Sequence, residues 1–205
     1  MGAAYIATMS PIETLGFALG TSFASGLNLY LTVASAGLLQ RFGVIHLPDS
    51  LQVLANPVVI GLAGGLFIIE FVADKIPYVD SAWDAVHTFI RPPAAAVLSY
   101  SAFGHVPEEW KIGAALLAGG VALTSHGVKA TSRAAANTSP EPISNWTLSF
   151  LEDGLVVFLT WLAATHPFIT ALLVVVLVIV AVMVIWKLYG YLKLISARLR
   201  GRPTT

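Results

Sequence analysis

Long uncharged runs alternate with short polar breaks along this chain. Residues 14–40 and 51–69 hold no Asp, Glu, Lys or Arg, and the second run ends at Glu70. Residues 92–107 are also uncharged but short, and they open on Pro92–Pro93. A fourth run, 112–128, ends at Lys129. Residues 146–165 are apolar apart from Glu152 and Asp153, and 168–186 form the most apolar run of all. His166–Pro167 separates the last two, because proline stops a helix and disfavours helical backbone one residue earlier. A membrane-crossing helix needs about 20 mostly apolar residues. The pattern therefore predicts an all-α integral membrane protein with about six transmembrane helices, some of them broken or re-entrant.

Composition points the same way. The chain has 205 residues, 57% hydrophobic and 11% charged, against about 25% charged in ordinary soluble domains. We read it as a single membrane domain over 1–205, with the lipid bilayer as partner and association into a homo-oligomer left open. The formal net charge is zero, so no basic field argues for nucleic acid. The absence of cysteine excludes disulfides, thiolate zinc sites, iron–sulfur clusters and c-type haem attachment. No basic region precedes the first apolar run, so no cleaved signal peptide is expected.

Lysine and arginine set the expected orientation. Lys187, Lys193, Arg198, Arg200 and Arg202 place the C-terminal tail, 187–205, in the cytoplasm. Six spans then put nine of the eleven basic residues inside, with Arg41 and Lys111 outside. The region 80–107 can span, re-enter or lie at the interface; five spans change the split to eight and three.

A weak internal repeat accompanies this pattern. Ala24–Tyr30 resembles Ser125–Thr131, with Gly26 over Gly127 and Asn28 over Lys129. Asn56 onward runs parallel to Asn145 onward, and the two stretches end at Pro77 and Pro167. The candidate halves are 14–104 and 112–195. Three spans in each would make them inverted repeats, an architecture that places a site at the repeat interface.

Polar residues inside apolar runs are costly. A charge at a helix centre costs roughly 2.5–3.5 kcal/mol on insertion scales, and each aliphatic residue returns roughly 0.3–0.6 kcal/mol. Glu152 and Asp153 thus consume most of what their helix supplies, and they point about 100° apart, so they should not share a partner. If that helix began later, with Ser144 or Asn145 as cap, the pair would sit near its N-terminus instead. Glu70 and Asp74 share a face at i, i+4. Asp80, Asp84, His87 and Arg91 follow at i, i+4, i+7 and i+11 on a helix expected to start near Asp80, which can cap it, again on one stripe. His126, Lys129, Arg133 and Asn137 form a second, cationic stripe at i, i+3, i+7 and i+11. Asp74, Asp80 or Asp84 is expected to pair with Lys129 or Arg133. A plainer reading keeps the acidic stripe solvated, with Asp84–His87 and His87–Arg91 bridges. Asp80, Asp84 and His87 have the donor types for a divalent cation, the one cofactor considered. Gly16-x-x-x-Gly20 and Gly61-x-x-x-Gly65 read as close helix contacts, and Asn28 and Tyr30 as mid-span packing groups.

The strings Glu70–Pro92 and Asn137–Asn145, with Ser149 and Glu152–Asp153 after them, resemble a bacterial inner-membrane family designated domain of unknown function 4126. The resemblance covers about residues 14–165. It implies a multi-pass protein of the inner membrane and no particular activity.

Three functions follow as expectations. The first is a small transporter or channel for an ion or solute, with its site between the halves. The second is a metal-dependent enzyme acting on lipid head groups or phosphates. Asp80-x-x-x-Asp84 resembles part of the aspartate motif of CDP-alcohol phosphotransferases, but the Asp-x-x-Asp-Gly element that precedes it there is absent. The third is a structural subunit of a membrane assembly.

Overall fold

A computed structural model describes residues 9–76, 78–104, 106–138 and 142–199. Among them every regular element is helical. The order is α1 (Pro11–Leu27), α2 (Leu29–Arg41), a 3₁₀ segment (Asp49–Ala55), α3 (Pro57–Ala73), α4 (Val79–His87), α5 (Arg91–Ala102), α6 (Glu108–Ala136), α7 (Pro142–Thr165) and α8 (Pro167–Leu199).

Local chemistry starts most of these helices. Ser10 and Glu13 form a reciprocal capping box on α1, with Pro11 in the first turn. The Asn56 side chain accepts from the Val58 amide at 2.8 Å to open α3. Prolines 92, 93 and 167 lie in first turns, where no amide donor is missed. Before α4 the chain turns at Tyr78, whose φ is +71°, so Asp80 sits inside the helix rather than capping it.

The six expected spans do not appear as six membrane-length helices. Residues 14–40 break at Asn28, whose backbone is extended (φ −151°, ψ 100°), leaving helices of 17 and 13 residues. The 3₁₀ segment and α3 bend by 66° at Asn56. The 92–107 run yields a helix of 12 residues. α6 is long, but Gly, Ala, Ser and Thr dilute its apolar content. Among the described residues two stretches, Ile143–Thr165 of α7 and Pro167–Leu194 of α8, are long and apolar enough to cross a membrane, and the bent 3₁₀–α3 pair would make a third. Lys187 and Lys193 belong to α8. Arg200, Arg202, the Arg198 side chain, Pro77 and residues 139–141 lie outside the described residues.

α1 is the central helix, buried almost continuously from Thr14 to Leu27 and packed on α5, α6, α7 and α8. Small residues allow this. A Cβ on Gly16 would overlap the Pro167 carbonyl, and one on Gly26 would overlap Ser125 Oγ and the Ala122 carbonyl. Gly61 and Gly65 face open space, so the second small-residue pair makes no close helix contact. One apolar cluster gathers Phe17, Ala36, Leu51, Ala102 and Ala163; another gathers Phe23, Leu27, Val121, Leu159 and Val174. The outer faces of α3 and α8 are apolar too, with Leu62, Ile69 and Val72 on one and Leu172, Val176 and Ile179 on the other exposed. Such faces suit a hydrocarbon surrounding better than water.

Candidate functional site

Both predicted stripes are buried, and they face each other. Glu70, Asp80, Arg91 and Arg133 are each 0% exposed. Asp74, Asp84, His87, His126 and Lys129 are nearly as deep. The acidic stripe crosses from α4 onto the first residue of α5, where Arg91 starts a new helix.

Lys129 Nζ donates to Asp74 Oδ2 at 2.8 Å, Glu70 Oε1 at 3.1 Å and the Leu27 carbonyl at 3.1 Å. Arg91 Nη2 donates to Glu70 Oε1 at 2.7 Å, and its Nη1 to the Gly26 carbonyl at 3.0 Å. Arg133 Nη2 donates to Glu152 Oε2 at 2.8 Å, while its Nη1 reaches the carbonyls of Asp74 and Asn145. The last carbonyls of α1 are orphaned where the helix stops, and they carry the negative end of its dipole. Two cations from other helices satisfy them. Asn28 closes the break: its Oδ1 accepts from the Leu31 amide at 2.9 Å, and its Nδ2 donates to Asp153 Oδ1 at 3.1 Å. A break in the middle of an apolar run is tolerable only where such partners exist.

Glu152 and Asp153 take separate partners, as their angular separation predicts. α7 begins at residue 142, so the pair lies mid-helix rather than near its N-terminus. Of the expected acid–cation pairs, Asp74 forms both, with Arg133 at 3.5 Å. Asp80 instead accepts two hydrogen bonds from Asn137 Nδ2, at 2.9 and 3.1 Å. Asp84 lies 3.5 Å from Arg91 Nη1, and neither of its carboxylate oxygens has a hydrogen-bond partner. The Asp84–His87 and His87–Arg91 bridges of the solvated reading are replaced by this contact and by other partners for the histidine.

The two histidines are chemically distinct. Arg91 Nη1 points at His126 Nδ1 at 2.7 Å. A guanidinium only donates, so Nδ1 must accept and the ring is neutral, with its proton on Nε2. That proton faces Thr88 Oγ1 and the Asp84 carbonyl. His87 Nδ1 faces the Trp83 carbonyl at 2.8 Å and therefore carries the proton. Its Nε2, 3.0 Å from Tyr30 Oη, is an acceptor in the neutral ring and a donor in the charged one.

Asp80, Asp84 and His87 do not converge, and among the described residues no three His, Asp or Glu side chains are placed to hold a metal ion. Their partners explain why: Asn137, Arg91 and Tyr30 draw the three in separate directions. The site also includes groups the sequence did not mark as site residues. The Gly26 and Leu27 carbonyls are backbone atoms with no sequence signal of their own. Asn28 had a weak one: asparagine is a favoured N-cap residue, and here it stands inside an apolar run. Lys75, half-buried, donates to Ser149 Oγ at 3.2 Å with its ammonium over the Phe71 ring.

Carboxylates outnumber cations here. Glu70, Asp74, Asp80, Asp84, Glu152 and Asp153 face Arg91, Lys129, Arg133 and the half-buried Lys75, an excess of two. Five carboxylate oxygens (Glu70 Oε2, Asp74 Oδ1, both of Asp84 and Asp153 Oδ2) are buried without a hydrogen bond. Buried charge left this way is costly unless a proton or cation joins it.

No curated protein and no solved structure matches this chain. The family described as "Domain of unknown function (DUF4126)" matches residues 15–187, and the chain belongs to that family.

Proposed function

We propose that this protein is a small multi-pass transporter or channel that moves protons or small cations through the network between α1–α5 and α6–α8. The observation that carries the reading is the surplus of carboxylates over cations in the network, with the Asp84 carboxylate lacking any hydrogen bond. A surplus of negative charge favours a cation or proton over an anion. Discontinuous helices with their ends directed at a mid-bundle polar site are a recurrent transporter device, and the break at Asn28 supports the reading. So do the apolar outer faces, which suit six passes with α1–α2, α3, α5 and α6 joining α7 and α8. The inverted repeat, the cytoplasmic C-terminus and the bacterial inner membrane belong to the same proposal.

The phosphate-binding enzyme gains less support. Lys129 and Arg133, the cations that would have to hold a phosphate, are committed to carboxylates and carbonyls of the chain itself. That same commitment favours the assembly-subunit reading as the second choice, with the ion pairs as interhelical cross-links.

The test is flux in proteoliposomes, with H⁺, monovalent and divalent cations and simple anions, for the parent and Asp84→Asn. Proton or cation flux in the parent, lost in a folded Asp84→Asn, is expected. No flux for any species rejects transport in favour of the assembly reading. Unchanged flux in the variant removes Asp84 from the path.

A further inference from the structure

A groove of about 220 Å³ runs along the outside of α6, α7 and α8 and reaches α1. Its walls are apolar: Phe23 and Leu27 from α1, Leu151 and Leu155 from α7, Leu177 and Val180 from α8. Its floor meets the charge network at Glu152 and Lys129, with Ser132 beside them. The two charged floor residues differ in availability. The Lys129 side chain is 1% exposed and spends its three protons on Leu27, Glu70 and Asp74. The Glu152 side chain is 12% exposed, and its ion pairs with Lys129 and Arg133 both use Oε2. Glu152 is thus the charged group of the network that the groove reaches, and what it offers a ligand is an acceptor.

We propose that this groove binds a lipophilic cation: a single aliphatic chain with a protonated amine head, the chain along the α7–α8 wall and the ammonium on Glu152. The charge surplus of the network makes a positive head complementary. A phosphate or carboxylate head would find only the neutral Ser132 hydroxyl as a donor, beside a network with more carboxylates than cations, so an anionic head fits poorly. This names a ligand class for the transport reading and rests on it.

The test is equilibrium binding of octylammonium, with octanoate as the length-matched anion. The full chain is held in nanodiscs of zwitterionic lipid, and protein-free nanodiscs correct for partitioning. No gradient is involved, so a failure here leaves proton flux untouched, and a failure of flux leaves binding measurable. Saturable binding of octylammonium and none of octanoate is expected. Val180→Trp, at a 43% exposed position of the α8 wall, should weaken binding by at least about tenfold, or about 1.4 kcal/mol. Glu152→Gln should weaken it similarly. Equal binding of both ligands would make the groove a plain apolar slot and overturn the proposal. So would binding that Val180→Trp leaves unchanged, or no saturable binding at all.

Discussion

The Lys129 ammonium sits 3.1 Å from the Leu27 carbonyl, the last of α1, while holding Asp74 at 2.8 Å and Glu70 at 3.1 Å. One side chain from α6 thereby joins the break in the central helix to the end of α3. Removing a single partner from a buried ion pair costs about 3–5 kcal/mol, because the remaining charge stays buried. Lys129→Met should lose stability of that order in detergent unfolding. Lys129→Met combined with Glu70→Gln should recover part of it, since one uncompensated charge is gone. A single-variant loss below about 1 kcal/mol would mean that water, not Lys129, neutralises the pair.

Asn28 does two jobs with one amide, capping α2 and donating to Asp153. Asn28→Asp keeps a cap acceptor but sets a carboxylate against Asp153. Asn28→Ser keeps an acceptor without that repulsion. The aspartate variant should be the less stable by more than about 1 kcal/mol, although both are good caps in isolation. Equal unfolding midpoints would show that a carboxylate at position 28 meets no repulsion from Asp153.

Close approach of α1 to α6 depends on Gly26, where a methyl would meet the backbone carbonyl of Ala122. Gly26→Ala should lower stability by about 1–3 kcal/mol through overpacking. Gly65→Ala faces open space and should gain about 0.5–1 kcal/mol from helix propensity alone. Opposite signs for the two, measured in the same detergent, are the check.

The capping box supplies a pH dependence at the exposed start of α1. Hydrogen bonds from the Ser10 backbone and hydroxyl hold the Glu13 carboxyl below its ordinary value of 4.5. Because the folded value is the lower one, its stabilisation is present above the unfolded value and fades as pH falls through the folded one. Amide protection in the first turn of α1, relative to the intrinsic exchange rate at each pH, should therefore fall below about pH 4.5. In Glu13→Gln the cap persists uncharged and that pH response should vanish. An unaltered response in the variant would assign it to another group.

The stripes were legible in the sequence because helical geometry places i, i+4, i+7 and i+11 on one face whatever surrounds the helix. The spacing puts Asp80, Asp84 and His87 on one face of α4 and His126, Lys129 and Arg133 on one face of α6; that both faces are buried was decided by packing. The separate partners of Glu152 and Asp153 were equally local, set by an angle of about 100° between neighbours. The caps at Ser10 and Asn56 also act over two or three residues and need no tertiary context. Partner choice was not local. Lys129 meets Asp74 rather than Asp80 or Asp84, and Asn137 claims Asp80. These outcomes depend on the depth and rotation at which α3, α4 and α6 pack, which contacts such as Gly26 on Ala122 decide. The difference between the histidines arises the same way, from a guanidinium contributed 35 residues before His126. The break at Asn28 needed tertiary structure as well. Hydropathy rewards an unbroken helix through 14–40, and only the side chains of Arg91, Lys129 and Asp153, converging from three other helices, make the interrupted one affordable.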